Sequence, residues 1–131
     1  MSKKMSNFTK VQFDIKKLGL KFNKKKLNSV IFHSTNETRE HFLVKCILSY
    51  ILHSMGHDIY SEGKYGTKKL DVIDLTDMIV YEIETNKTKK KTEQKITNVK
   101  DSYFGLIIID LKDLPEKLDD IFKFVKKEIG Y

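Results

Sequence analysis

At residues 70–84 the chain reads LDVIDLTDMIVYEIE, two apolar runs joined by a short polar segment. β-Branched and other apolar residues on both sides of such a segment predict a β-hairpin. A two-residue turn at 76–77 places Asp71 opposite Glu82 on the neighbouring strand. Because side chains alternate between the two faces of a strand, Asp71, Glu82 and Glu84 then share one face.

Directly opposed side chains in a hairpin lie about 4.5–5.5 Å apart, so Asp71 and Glu82 are expected to repel each other. A divalent cation is the simplest compensation, since Mg²⁺ is typically held by one or two carboxylates plus substrate phosphates. The alternative is an acidic hairpin end that is solvated. The same register places Ile73 opposite Val80.

The chain has 131 residues, of which 40% are hydrophobic and 33% charged. This composition is typical of a soluble globular protein, and the length suits one domain with its own core. No apolar run approaches the roughly 20 residues of a membrane span, and the basic first residues do not lead into an apolar signal segment. We therefore expect an intracellular, cytoplasmic protein. The single cysteine, Cys46, lies among apolar residues, which favours a buried thiol over a nucleophile.

The net charge of +7 is unevenly distributed along the chain. Residues 1–30 carry +8 and residues 87–100 carry +5, whereas residues 31–86 carry −4 and residues 101–131 carry −2. An acidic hairpin between two lysine-rich segments suits a site that acts on a polyanion, with cations along the backbone path. The alternative is that the lysines serve solubility alone.

The first 33 residues form a basic N-terminal arm, followed by a single domain at residues 34–131. The arm contains three short apolar segments, at residues 11–15, 18–22 and 30–32, which suggest short strands. We expect it to pack on the core or on a partner.

A helix is predicted from Glu37 to Met55, since residues 34–37 have capping-box spacing and Gly56 supplies a stop. A helical wheel places Glu40 at the centre of its main apolar stripe. Glu40 then either points toward the acidic end of the hairpin or turns to water in the first helical turn. His41 and Lys45 lie further round the helix, where surface positions are expected.

The remaining pattern predicts a strand at residues 57–62, a helix capped by Thr92, a strand at residues 105–111 covered on both faces, and a final helix opened by Asp113-Leu114-Pro115-Glu116. The core order is helix, three strands, helix, strand, with a further helix at the end. A mixed central sheet flanked by helices makes this an α/β or α+β domain.

This order, with acids at these places, resembles the PD-(D/E)XK nuclease superfamily, which has the restriction-endonuclease-like and Holliday-junction-resolvase-like fold. In that family a helix carries a Glu, the second strand begins with an Asp, and the third strand carries an acid, any residue and a Lys. Glu40 matches the helix acid, Asp71 the strand acid, and Glu82 and Glu84 the third motif. The resemblance covers roughly residues 37–111.

The chain departs from the family pattern at two positions. Leu70 stands where a proline often precedes the Asp, and Glu84 stands in the usual lysine position. Some members of the family carry Glu or Gln there, and others draw the lysine from elsewhere. Lys87 is the nearest substitute in the sequence.

The resemblance implies a nuclease that depends on Mg²⁺ or Mn²⁺ and hydrolyses phosphodiester bonds of DNA. Asp71 and Glu82 would hold the metal, Glu40 would bind it directly or through water, and Glu84 would orient the attacking water. The phosphate backbone would be contacted by four lysines, namely Lys64, Lys68, Lys69 and Lys87. Phosphate contacts carry no sequence information, so structure-selective or weakly specific cutting is expected.

Two other functions stay open from the sequence. The chain could be a catalytically inactive nucleic-acid-binding or assembly protein that retains the nuclease fold, or a small protein-interaction domain. Endonuclease and exonuclease activity both fit, as do a monomer and a homodimer.

Overall fold

The structure, a computed structural model, describes residues 3–30, 37–65, 68–85, 88–100 and 102–131, with backbone alone for residues 3–8, 62–65 and 68–69. Four helices and four strands follow one another in this stretch. In chain order they are α1 (Lys3–Lys17), α2 (Arg39–Ser54), β1 (Ile59–Tyr65), β2 (Lys68–Asp74), β3 (Ile79–Glu84), α3 (Lys89–Val99), β4 (Gly105–Asp110) and α4 (Leu118–Glu128), with short 3₁₀ turns at Lys24–Lys26 and Leu111–Asp113.

The four strands form one mixed sheet in the order β1-β2-β3-β4. β1, β2 and β3 are antiparallel neighbours, and β4 lies parallel to β3 after the α3 crossover. The predicted mixed α+β class and the order of its elements are therefore confirmed. None of the helices in the described ranges is long and apolar enough to cross a membrane.

The predicted hairpin register is confirmed, because Ile73 pairs with Val80. The turn is longer than predicted, since Asp74 and Ile79 form the last pair and residues 75–78 make the connection. Asp74 stabilises this connection locally, as its Oδ1 accepts hydrogen bonds from the backbone N–H groups of Thr76 and Asp77, at 2.9 and 3.1 Å. An Asp side chain that bonds backbone groups two or three residues on is a common turn device.

Apolar side chains form two clusters, one on each face of the sheet. Alternation along β3 sends Tyr81 and Ile83 to one cluster, together with buried residues of α2 and α4, and Val80 to the other. The second cluster contains residues of α1 together with Val99 at the end of α3. The sheet is therefore a middle layer between two helical layers.

The strand prediction for residues 11–15 is wrong, because this segment lies within α1. Val11, Ile15 and Leu18 recur at helical spacing and are buried against the sheet. Gly19 ends the helix at φ 75°, with the Leu20 N–H donating to the carbonyl of Ile15. Residues 18–22 are also not a strand, and residues 31–32 lie outside the described residues. The arm thus packs on the core, as expected.

α2 begins later than predicted, because Thr38 is its N-cap and accepts a hydrogen bond from the backbone N–H of His41 at 3.1 Å. The predicted capping box at residues 34–36 lies outside the described residues. The helix ends as predicted, since Gly56 follows it with φ 82°. Burial raises the pKa of the Cys46 thiol, which is only partly buried.

Three further boundaries differ from the sequence pattern. Thr88, not Thr92, caps α3. Asp113, which was expected to cap the last helix, lies instead in the 3₁₀ turn Leu111–Asp113. α4 therefore begins only at Leu118, after Pro115. β4 is an edge strand in which only Ile109 is fully buried. The prediction that this strand is covered on both faces is therefore wrong, since most of its side chains are only partly buried.

Candidate active site

The candidate site lies where β2 and β3 separate. In the described residues their ladder ends at the pair Val72 and Tyr81, although β3 continues beside β4 as far as Glu84. Two carboxylates occupy the gap. The backbone N–H of Asp71 donates to Glu82 Oε2, and the backbone N–H of Ile83 donates to Asp71 Oδ2, both at 2.9 Å. Side-chain oxygens thus replace the carbonyl groups that a continued ladder would supply.

Asp71 and Glu82 are both buried, and their pKa values move in opposite directions. Burial raises the pKa of Glu82, and the charge of Asp71 and the hydrogen bond to it raise the pKa further. Burial opposes ionisation of Asp71 too, but hydrogen bonds from His41 and Glu82, the charge of His41 and the N–H of Ile83 lower its pKa. Without a metal the pair therefore holds one proton, on Glu82, as two adjacent carboxyl groups commonly do.

α2 and the residue that precedes its N-cap supply the second group of the site, which consists of His41, Lys45 and Glu37. His41 lies with Nε2 3.5 Å from Asp71 Oδ2 and with Nδ1 2.7 Å from Glu37 Oε1. The same Glu37 oxygen lies 2.6 Å from Lys45 Nζ, and both of these side chains are buried. Burial lowers the pKa of His41, but hydrogen bonding and charge from Asp71 and Glu37 outweigh it and raise the pKa overall.

α3 supplies the third group. Lys95 Nζ lies 3.2 Å from Glu82 Oε1 and 3.4 Å from Glu84 Oε1, and Lys91 Nζ lies 3.8 Å from Glu84 Oε2. Burial lowers the pKa of Lys95, but the charges of Glu82, Asp71 and Glu84 raise it overall, so the ammonium stays protonated. Two lysines of α3 thus approach Glu84 on β3.

One buried atom at this site lacks a hydrogen bond. Glu82 Oε1 accepts none with acceptable geometry in the described residues, although Lys95 Nζ is near. A buried carboxylate oxygen that accepts no hydrogen bond costs free energy, and a divalent cation coordinated by oxygen would satisfy it. Asp71 and Glu82 therefore fit the donor set of Mg²⁺ or Mn²⁺.

The structure does not bring Glu40 to these carboxylates. Its side chain is exposed in the first turn of α2 and lines a cleft with Leu43, Thr85 and Leu114, and no described hydrogen bond or ion pair joins it to Asp71 or Glu82. The apolar stripe predicted for α2 was centred too close to Glu40, because the buried face of the helix also includes Lys45, Ser49 and Leu52.

The lysines predicted to contact DNA are described only in part. Lys64 pairs with Lys69 through the backbone of the β1–β2 hairpin, and Lys68 lies at the tip of the same hairpin. Their side chains are not among the described ones, and Lys87 lies outside the described residues. On α3, Lys89 joins Lys90 and Lys91 on an exposed surface.

Sequence reasoning missed Glu37, His41, Lys45 and Lys95 as members of the site. His41 and Lys45 are four residues apart, which places them on one face of α2, and Glu37 lies just before the N-cap Thr38. Counting Leu52 with the apolar positions would have moved the centre of the buried stripe toward Glu37 and His41. No local signal marks Lys95, because only the packing of α3 brings it to β3.

No protein-family model matches the chain, and no curated protein or solved structure matches it significantly. The functional conclusion rests on the chain's own carboxylates, lysines and histidine and on how the fold groups them.

Proposed function

We propose that this protein is a metal-dependent nuclease that hydrolyses phosphodiester bonds of DNA. The observation that carries the proposal is the buried pair Asp71 and Glu82 at the point where two strands separate, where Glu82 Oε1 accepts no hydrogen bond from the described residues. Burial and the charge of Asp71 keep Glu82 from ionising, and a bound cation would let both carboxylates ionise side by side.

The arrangement we propose is restriction-endonuclease-like. The element order from α2 to β4, which is helix, three strands, helix, strand, agrees with what the superfamily resemblance implies. Asp71 lies on the second strand and Glu82 on the third, which are the strands that carry acids in that superfamily. These points support the assignment to PD-(D/E)XK nucleases.

Asp71 and Glu82, with the carbonyl of Ile83, would hold a Mg²⁺ or Mn²⁺ ion. When bound, such an ion polarises the phosphate and lowers the pKa of the attacking water. His41 fixes the orientation of Asp71 from the α2 side, and Glu37 in turn holds the imidazole through Nδ1. A hydrogen-bonded neighbour of this kind orients a metal ligand and tunes its basicity.

Lys95 would supply the positive charge that other members of the superfamily draw from a lysine at the position of Glu84. Its ammonium group lies between the two glutamates of β3 and remains charged, so it can stabilise negative charge on a phosphate bound at this point. Preorganised charges in a partly buried site are more effective than the same charges in water. Glu84, which is partly exposed, is placed to orient water or accept its proton.

The DNA backbone would lie across the α3 side of the site. Lys89, Lys90 and Lys91 are exposed there, and the β1–β2 hairpin contributes further lysines. Lysine contacts to phosphates hold nucleic acid without reading its sequence, so weakly specific cutting is expected. Affinity should fall with salt at a log–log slope of about −0.9 for each phosphate contacted on duplex DNA.

Cleavage of labelled DNA with Mg²⁺ or Mn²⁺ tests the proposal directly. Asp71→Asn and Glu82→Gln should each lower the rate at least about 1,000-fold, since a metal contributes several kcal/mol to the transition state. Asp120→Asn, an exposed acid on α4, is the matched control and should retain the wild-type rate.

Calorimetry with Mg²⁺ or Mn²⁺ separates this proposal from the inactive binding protein. A nuclease binds the ion through Asp71 and Glu82 and loses that binding in either variant. Salt-dependent DNA binding without metal binding or cleavage in the wild type would overturn the nuclease proposal and favour the inactive binding protein.

A further inference from the structure

A second group of metal-ligating side chains lies at the turn end of the same hairpin. His57 Nδ1 is 2.8 Å from Asp74 Oδ2 and 3.9 Å from Asp77 Oδ2. One donor atom from each of these three residues lies within 4.8 Å of the other two. The residues come from the α2–β1 connection, the end of β2 and the turn, so their meeting depends on the fold.

The spacing suits tetrahedral coordination. Bonds of about 2.0–2.1 Å from Zn²⁺ to nitrogen and oxygen place neighbouring ligand atoms roughly 3.3 Å apart. The observed separations of 2.8 and 3.9 Å from His57 Nδ1 lie on either side of this value, and the ligand atoms of the two aspartates lie within 4.8 Å of each other, so side-chain rotations would bring the three atoms to it. Three protein ligands with an open fourth position are typical of zinc sites that bind water.

No lysine or arginine among the described side chains forms an ion pair with this group. Asp74 is fully buried, and no described lysine or arginine nitrogen lies within 4.0 Å of a carboxylate oxygen of Asp74 or Asp77. A cation bound between these two carboxylates would offset their negative charge.

The group also has oriented ligands and a route for an ion to reach it. The other oxygen of Asp74 is held by two backbone N–H groups, which leaves Oδ2 directed at the imidazole. The side chain of Asp77 is 43% exposed, whereas that of His57 is 13% exposed, so an ion can approach from the Asp77 side. The hydroxyl of Tyr131 lies 3.4 Å from Asp77 Oδ2 at the rim.

We infer that His57, Asp74 and Asp77 form a second metal site, which binds a divalent transition metal of the Zn²⁺ type. An imidazole nitrogen combined with carboxylates favours Zn²⁺ over Mg²⁺, which prefers oxygen ligands alone. The ion would join the α2–β1 connection to the β2–β3 turn. This site is separate from the proposed nuclease centre and does not depend on it.

Titration of the full chain with Zn²⁺, followed by calorimetry and thermal melting, tests the inference. The Asp71→Asn variant is the background, because it removes a ligand of the nuclease centre and leaves the turn intact. In this background one equivalent of Zn²⁺ should bind and raise the melting temperature, as a ligand specific for the folded state does.

Asp77→Asn in the same background should weaken Zn²⁺ binding at least about 100-fold, since even outer-shell changes cost 10–100-fold. It should leave the metal-free melting temperature nearly unchanged, because this side chain is partly exposed in a turn. His57→Gln should weaken binding similarly. Asp120→Asn, on α4, is the control and should bind Zn²⁺ with the background affinity.

Two results would overturn the inference. One is the absence of Zn²⁺ binding in the Asp71→Asn background. The other is binding that Asp77→Asn and His57→Gln leave unchanged. Loss of DNA cleavage in Asp71→Asn has no bearing on either result, so the two sites can fail independently.

Discussion

The two ends of the β2–β3 hairpin both carry carboxylates but stabilise them differently. At the open end, Asp71 and Glu82 face cations on two helices, from His41 and Lys95. At the turn end, Asp74 is held by backbone N–H groups of its own turn and by a single imidazole. The open end therefore depends on tertiary packing, whereas the turn end is largely local.

This difference predicts at which end a substitution destabilises the fold more. The open end brings several buried ionisable groups together, and removing any one leaves its partner buried and unpaired. At the turn end, removing one carboxylate leaves the backbone hydrogen bonds of Asp74 in place. Substitutions at the open end should thus have much larger effects on stability and activity.

The largest effect on stability is expected from Lys45→Met. The change leaves Glu37 buried without its ammonium partner at 2.6 Å, and breaking a buried ion pair costs about 3–5 kcal/mol. Denaturant unfolding should show this loss. The double variant Glu37→Gln with Lys45→Met should recover much of it, and a single-variant loss below about 1 kcal/mol would contradict a buried pair.

The next effect is on catalysis. Lys95→Gln should lower the cleavage rate about 100- to 1,000-fold, as removal of one preorganised donor does. Its affinity for Mg²⁺ should not fall, because the competing ammonium near Glu82 is gone. Lys123→Gln on α4 is the control, and equal rates for the two variants would exclude a catalytic part for Lys95.

The pH dependence of stability distinguishes the open end in a further way. Folding raises the pKa of Glu82, so the stability linked to its proton is present below about pH 4.5 and is lost as the pH rises through the folded value. His41, whose pKa is also raised, adds a loss of the same sign above about pH 6.5.

In metal-free buffer the unfolding free energy should therefore decrease with rising pH, by up to about 1.4 kcal/mol per pH unit for one group. Glu82→Gln imitates the protonated acid and should remove the lower part of this decrease. Urea unfolding at a series of pH values with EDTA measures it. A wild-type curve that rises between pH 5 and 7, or one that the variant does not change, would contradict the shared proton.

The smallest effect is expected at the turn end. Without metal, Asp77→Asn should change the unfolding free energy by no more than about 0.5 kcal/mol, as exposed substitutions usually do. Thermal or urea unfolding in EDTA measures the change. A loss as large as that of Lys45→Met would mean that the carboxylates at the two ends contribute equally to stability.

The sequence by itself determined the hairpin and the partnership of its acids. Side chains alternate every two residues along a strand, so the register that pairs Ile73 with Val80 brings Asp71 beside Glu82, although the ladder itself ends at Val72 and Tyr81. The end of α2 at Gly56 also follows from a local pattern. These features depend on neighbours in the chain, which a sequence shows directly.

Only the tertiary structure decided what surrounds those acids. Whether Glu40 or His41 faces Asp71 depends on the rotation of α2, which its packing against the sheet and α4 sets. The approach of Lys95 depends on where α3 lies against β4. The helical form of residues 11–15 likewise depends on burial against the second cluster. Such contacts join residues far apart in the chain, and local patterns carry little information about them.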